Sequence, residues 1–388
     1  MKKIPPFLCM DALRGVAALW VVMAHASTPF LAGKGMSFLN NPVYFVSSYG
    51  ALGVVMFFVI SGYCVTGALY NSILRGEGPG RFLHHRARRI YPPYLATCVL
   101  AVAASGILTF AQRHHLAPLS NHVVSVQRDC LYWISNLTLT QIEFKRGCLV
   151  FVFWSLCYEV VFYATLGFLY AAILQLIRRG TFRKSQFELI LTSGVLLITL
   201  SSEAWLIVNP KGCPFPLDLW YQFGLGSLLF LHLAARCSEK PDRIRVTGCS
   251  LATAAFLTAV FAVMHDLSSL NGTLVESNVL GHPSSRMKSI LTLLLLGFLM
   301  MARRYDAVIH SSRWVRPLTA LGLFSYSLYL THALFLPFVD AGLRRVGLDH
   351  GWYLLNYLAQ LTVAVMAGFV FYHLVERHFV SRSPRKAS

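Results

Sequence analysis

The sequence predicts an all-α membrane protein, a bundle of about ten transmembrane helices with both termini cytoplasmic. Apolar residues make up 56% of the 388 positions and charged residues 13%, the latter about half the proportion found in soluble proteins. The apolar residues gather into runs that match the thickness of a bilayer core, and positive charge is concentrated in every second connection between them.

Taken in order, the runs cover 8–31, 50–71, 91–112, 149–177, 187–208, 215–236, 246–266, 288–302, 317–340 and 352–376, the eighth short and the fourth long. Lys2 and Lys3 precede the first run, and clusters such as Arg81, Arg86, Arg88 and Arg89 follow the second. Counted over alternate connections, 23 lysines and arginines fall on one side and 10 on the other, with Arg14 inside a run. The positive-inside bias places the richer side in the cytoplasm. No small-residue cleavage site follows the first run, so it reads as a retained span and not a signal peptide. The chain reads as one integral-membrane domain over 1–388, with a short cytoplasmic tail at 377–388 and no room for an appended soluble domain.

Composition also excludes some functions. The formal net charge of +18 is dispersed in short clusters between apolar runs, without the basic face or aromatic-basic motif of a nucleic-acid binder. Nine cysteines show no C-x-x-C spacing and most lie in the runs as small hydrophobes, so no metal site is signalled. Cys130 and Cys148 share the long outer connection, 113–148, where a disulfide is permitted but spacing cannot establish one. That connection contains QRDCLYWISNLTLTQIEF, too aromatic for a plain linker; it either dips into the bilayer or caps a cavity.

Ionisable residues inside a span mark a substrate path or a reactive site by default. The first span, DALRGVAALWVVMAH, carries Arg14 and His25 eleven positions apart, which returns them to one helix face roughly 16 Å apart along the axis. Glu159 in span four and His332 in span nine approach the same outer half of the membrane as His25. A histidine beside a carboxylate is a reasonable general base, with Glu159 fixing the imidazole tautomer. On the inner side, RFLHHRARRIYPPY places its arginines in the loop and first turn before Pro92 and Pro93, where guanidinium groups suit phosphate. Arg86 and Arg89, three apart, share a helix face. The plain alternatives are a snorkelling Arg14, packing roles for His25, Glu159 and His332, topology signalling by the arginine cluster, and close helix packing at Ser61–Gly62 in FFVISGY. No activated covalent nucleophile emerges.

The segments DALRGVAALWVVMAH, FFVISGY, RARRIYP, WSLCYEVVFY and SYSLYLTH, in this order over most of the chain, resemble the signature segments of the membrane acyltransferase-3 family, the O-antigen and Nod-factor acetylase type. The resemblance implies a ten-helix enzyme of the bacterial cytoplasmic membrane that moves an acyl group, usually acetyl, from cytoplasmic acyl-CoA to a hydroxyl of an envelope carbohydrate. It implies catalytic roles for His25 and Glu159 and donor binding by Arg14, Arg86 and Arg89. Substrate or oxyanion support would come from Ser61, Trp154, Ser155, Tyr326 and His332. Acyl-CoA is then the co-substrate, no metal is needed, and the partners are membrane lipids and a carbohydrate acceptor. The periplasmic esterase-like domain of some relatives is missing from this pattern. A proton-coupled exporter of an envelope precursor is the rival class; it accounts for the buried charges but not for the ordered motifs.

The charge pattern is directly testable. Reporter fusions at residues 80 and 125 are expected to report opposite faces of the membrane, with residue 80 cytoplasmic. The same face for both would overturn the assigned topology.

Overall fold

A computed structural model describes residues 4–26, 42–114, 124, 126–127, 129–209, 213–270, 284–347 and 352–380. Residues 27–31 of the first predicted span, Lys2, Lys3 and the tail beyond 380 lie outside the described residues. The described residues form helices and turns, with one isolated bridge pairing Val124 and Val150. In chain order the helices are α1 (Met10–Ala26), α2 (Pro42–Ser48), α3 (Leu52–Leu74), α4 (Pro79–Arg113), α5 (Cys130–Thr138), α6 (Trp154–Arg178) and α7 (Phe187–Val208). They continue with α8 (Leu217–Cys237), α9 (Pro241–Leu270), α10 (Ser285–Ala302), α11 (Asp306–Ser311), α12 (Arg316–Leu323), α13 (Ser325–Arg345) and α14 (Tyr353–Leu374).

The chain is an all-α membrane protein. Each predicted span overlaps a described helix, and 7 of the described helices are long and apolar enough to cross a membrane. The pair α12 and α13, bent by 75° at Phe324, makes an eighth if counted as one span. Helix α1 has 17 described residues. Helix α8 is long enough, but Asp218, Gln222 and His232 dilute its apolar character.

One predicted detail differs in the structure. The arginines ahead of Pro92 do not sit in a loop, because α4 begins at Pro79 and runs through Pro92 and Pro93 without ending. Consecutive prolines each remove one backbone donor but keep a helical φ, and at a wet membrane face the orphaned carbonyls can be solvated. The aromatic stretch of the long connection, 113–148, contains the nine-residue helix α5, too short to span. Asp129 caps its start by accepting from the Leu131 amide at 3.1 Å, and Leu139 in the left-handed region ends it. Asn136 stitches it to the following segment, donating to the Gly147 carbonyl and accepting from the Leu149 amide at 2.7 Å. Cys130 and Cys148 are both free thiols.

Contacts divide the chain into two compact units. The first holds Met1–Arg14, Leu52–His84 and Tyr158–Pro317. Its centre is the crossing of α3 and α8, where a β-carbon on Gly62 would lie 2.1 Å from the Phe223 carbonyl oxygen and one on Gly226 would lie 2.1 Å from that of Val59. Only glycine permits this approach, which lets Ser227 donate to the Gly62 carbonyl and Thr66 donate to Ser227 at 2.9 Å. Phe223 stacks on Phe58 and Phe162 beside the crossing. Where α3 turns into α4, Glu77 accepts from Arg75 at 2.9 Å and faces Arg81 at 3.6 Å, while its backbone carbonyl takes the Tyr170 hydroxyl. The hydrogen bond from Arg75 holds the Glu77 carboxyl down to about 2, so this clip stays ionised at any physiological pH.

The second unit holds Gly15–Ala51, His85–Cys157 and Leu318–Ser388. Helices α13 and α14 pack along their lengths, and the Glu376 carboxylate accepts from both the amide and the hydroxyl of Ser327 near the start of α13. A β-carbon on Gly15 would meet the Leu318 carbonyl oxygen at 2.1 Å, so α1 and α12 touch backbone to backbone. Trp20 adds a second tie, its indole donating to the Val46 carbonyl at 2.8 Å. In α4, Tyr94 donates to the Asn136 carbonyl, docking α5.

The glycine crossing sets a measurable cost. Gly62→Ala should lower the thermal midpoint in detergent, the overpacking amounting to about 1–3 kcal/mol because the opposing atom is backbone. Gly297→Ala, with open space around it, serves as the control and should not lower it. Equal midpoints for the two variants would refute the tight crossing.

Candidate functional site

The residues singled out by sequence fall into two groups, one in each unit, and α1 carries a member of both. In the second unit, His25 Nδ1 lies 3.0 Å from His332 Nε2, with the rings stacked at 5.1 Å between centroids. His332 is fully buried, and its other nitrogen, Nδ1, faces the carbonyls of Tyr329 at 2.8 Å and Leu328 at 3.1 Å. A carbonyl can only accept, so the hydrogen of His332 sits on Nδ1 and its Nε2 offers a lone pair. His25 must then donate from Nδ1, which leaves its lone pair on Nε2. The two backbone carbonyls thereby fix the tautomers of two rings in series.

The surroundings of this pair are aromatic and rigid. Phe151 presents its edge to His25 at 4.9 Å. Tyr329, three residues before His332, donates its hydroxyl to the Val152 carbonyl at 2.8 Å and accepts from Ser155 at 2.7 Å. Ser155 and the half-buried Trp154 open α6, directly after the single turn Phe151–Phe153. Tyr326 donates to the Ile90 carbonyl at 3.0 Å, which anchors α13 to α4 one residue beyond Arg89. Arg86 and Arg89 are half-buried on that same helix, three residues apart as the sequence implied.

In the first unit, Arg14 reaches Asp11 at 3.2 Å and lies within electrostatic range of Glu159, Tyr163 and Cys64. The Glu159 carboxylate accepts from Ser61 at 3.1 Å and from Tyr163 through a short hydrogen bond. Within its own unit the ring that His25 meets is that of His332, and within the other Glu159 is engaged by two hydroxyls. Sequence reasoning overlooked Tyr163, Tyr329 and Phe151. Tyr163 was within reach of that reasoning, because four residues after Glu159 it must share a helix face with it. Among the described residues, no group of three or more His, Cys, Asp or Glu is arranged to hold a metal ion.

A family model described as an acyltransferase domain matches residues 7–374, nearly the whole length over which these groups are distributed. The chain belongs to that family of membrane acyltransferases. Among its relatives, "Protein 2 in picA locus" of Rhizobium radiobacter is 36% identical over 106 residues, 26% of this acyltransferase and 49% of the relative. A Komagataeibacter xylinus protein named as a membrane-bound transacylase is 25% identical over 382 residues, 97% of this chain and 84% of that one. An "O-acetyl transferase" of Shigella phage Sf6 is 33% identical over 92 residues, 24% of this chain and 25% of that one. The matched part thus spans about half of the first relative and a quarter of the third. No solved structure matches the acyltransferase.

The carboxylate in the first unit offers a test of its own. Glu159→Gln keeps an oxygen that accepts from Ser61 and Tyr163, whereas Glu159→Leu removes the oxygen to which both hydroxyls donate. The leucine variant should therefore unfold at a distinctly lower temperature in detergent, by the equivalent of about 1–3 kcal/mol. If both variants melt alike, the hydroxyl pair does not depend on the carboxylate.

Proposed function

We propose that this acyltransferase moves an acyl group, acetyl in the simplest case, from cytoplasmic acyl-CoA to a hydroxyl of a cell-envelope carbohydrate. The observation that carries the reading is the hydrogen-bonded pair His25–His332, which leaves a lone pair on His25 Nε2. That nitrogen acts as the general base. It takes the proton of the acceptor hydroxyl as the oxygen attacks the thioester carbonyl, the carbon–sulfur bond breaks, and the proton passes to the departing sulfur. Acceptor and thioester become ester and free coenzyme A thiol, with no proton gained or lost overall. His332 positions the ring and stays hydrogen-bonded to it while His25 carries the proton.

We assign donor-phosphate binding to Arg14 on α1 and to Arg86 and Arg89 on α4, because a guanidinium fork matches phosphate oxygens. Arg14 and His25 sit on one continuous helix, so the span from phosphate to base is set by roughly 16 Å of α1. The flexible pantetheine arm of the donor bridges that separation. Ser61 and Glu159 neighbour Arg14, and we assign them to orienting the donor. Trp154, Ser155 and Tyr326 support the substrate side of the pair, with Ser155 acting through Tyr329. Orientation in the bacterial inner membrane with both termini inside follows from the charge asymmetry. The name of the phage relative supports acetyl as the group, and the resemblance to O-antigen acetylases supports a carbohydrate acceptor.

Purified protein in detergent should transfer labelled acetyl from acetyl-CoA to an added glycan acceptor. His25→Ala should lower turnover by about two to four orders of magnitude while donor binding persists. Arg14→Ala, and Arg86→Ala together with Arg89→Ala, should instead weaken donor binding, with lysine at each position rescuing only in part because a point charge cannot reproduce the fork. Near-normal turnover without His25 would move the chemistry elsewhere, and full donor affinity without Arg86 and Arg89 would leave that cluster a topology signal.

A further inference from the structure

The chain ahead of α1 is tied to a segment almost three hundred residues later. Asp306, at the start of α11 and 8% exposed, accepts from the Leu8 amide at 2.8 Å and from the Cys9 amide at 2.9 Å, one carboxylate oxygen for each. Cys9 is the residue whose carbonyl takes the first helical bond of α1, from the Leu13 amide. Arg303 completes the clasp. Its guanidinium donates to the Pro6 carbonyl at 2.9 Å and the Pro5 carbonyl at 3.0 Å, lies 3.6 Å from Asp306, and covers the Phe7 ring at 5.4 Å. Phe7 in turn meets Tyr63 of α3 edge-on. The Cys9 thiol points into the same clasp, 3.5 Å from the Asp306 carbonyl.

A helix start needs acceptors for its first amides, and these normally come from a nearby side chain. Here the acceptor comes from the far end of the sequence, and both of its oxygens are used. An acceptor that takes two successive amides fixes rotation as well as position, since neither bond survives a turn of the helix about its axis. Arg14 lies just over one turn from the capped residue, so its guanidinium inherits that rotation directly.

We propose that Asp306 and Arg303 are positioning residues for the donor site, setting the depth and rotation of α1 so that Arg14 presents its fork to the phosphates of coenzyme A. The inference rests on the reading of Arg14 as a donor ligand. A misplacement of about 1 Å at such a site can cost about a hundredfold in function, which gives the clasp leverage although it touches no substrate.

The experiment measures coenzyme A binding to the purified full-length protein in detergent for Asp306→Asn and Arg303→Lys, each alone and combined with Arg14→Ala. Asp306→Asn loses one acceptor oxygen and Arg303→Lys loses the fork, while neither removes much volume. Alkylation of Cys9, read by mass spectrometry of the amino-terminal peptide, reports opening of the clasp independently of binding. Each single variant should speed alkylation of Cys9, weaken coenzyme A binding roughly tenfold or more, and raise KM for the donor without changing KM for the acceptor. In the Arg14→Ala background the same changes should cost nothing further. Losses that add fully to that of Arg14→Ala, or normal binding despite a labelled Cys9, would overturn the proposal. Normal binding by Arg14→Ala alone would instead defeat the donor-site reading, and weakened binding by Asp306→Asn in that case would show that the clasp acts elsewhere.

Discussion

In hydrocarbon, a polar side chain without a partner costs several kcal/mol, and this constraint decides where the ionisable groups of the chain can stand. His332 is fully buried and is held by two backbone carbonyls of its own helix. Glu159 is met by two hydroxyls, and Glu376 by the amide and hydroxyl of Ser327. Each of these partners belongs to a helix whose place is fixed by something else, such as the glycine crossing of α3 and α8 or the contact of Gly15 with Leu318. Polar satisfaction and close packing are thus the same requirement seen from two sides. Helices that approach within a few ångströms bring donors to acceptors, and those bonds hold the approach.

Helix α1 carries the consequence furthest. It is fixed at its start by Asp306, near its middle by the backbone of α12 and the Trp20 indole, and near its end by the ring of His332. The separation of Arg14 from His25 along the axis is set by the helix between them. That spacing suits the proposed donor, which presents phosphate at one end and a thioester at the other.

Much of this was legible in the sequence, and the rest divides along a physical line. Local spacing showed that Arg14 and His25 share a face, that Arg86 and Arg89 do, and that Gly62 belongs to a close approach; the apolar runs showed the helices. Pairings between helices distant in the chain were not legible, because no spacing encodes which helix lies beside which. His25 and His332 are 307 residues apart, and Leu8 and Asp306 are 298 apart. Depth along the membrane normal suggested that His25, Glu159 and His332 approach one level, but depth does not give azimuth. The start of α4 was misread for a local reason: Pro92 and Pro93 look like a helix opening, and the thirteen residues of α4 that precede them carry the helix into them.

A histidine partner differs from a carboxylate in what it asks of the reaction. A carboxylate would bring a full negative charge to balance an imidazolium, at the expense of burying that charge in a low-dielectric medium. A neutral imidazole brings only a lone pair, and its own hydrogen is committed to the Tyr329 carbonyl, so the pair at rest carries no net charge to desolvate. In the proposed reaction, positive charge exists on the pair only between the arrival of the hydroxyl proton and its departure. Such a pair favours a path in which the proton is passed on quickly, and the thiolate released by the same step is the natural recipient. On this argument, acceptor, base and leaving sulfur must be assembled before the proton moves, and direct transfer between two bound substrates follows more readily than storage of the acyl group on the protein.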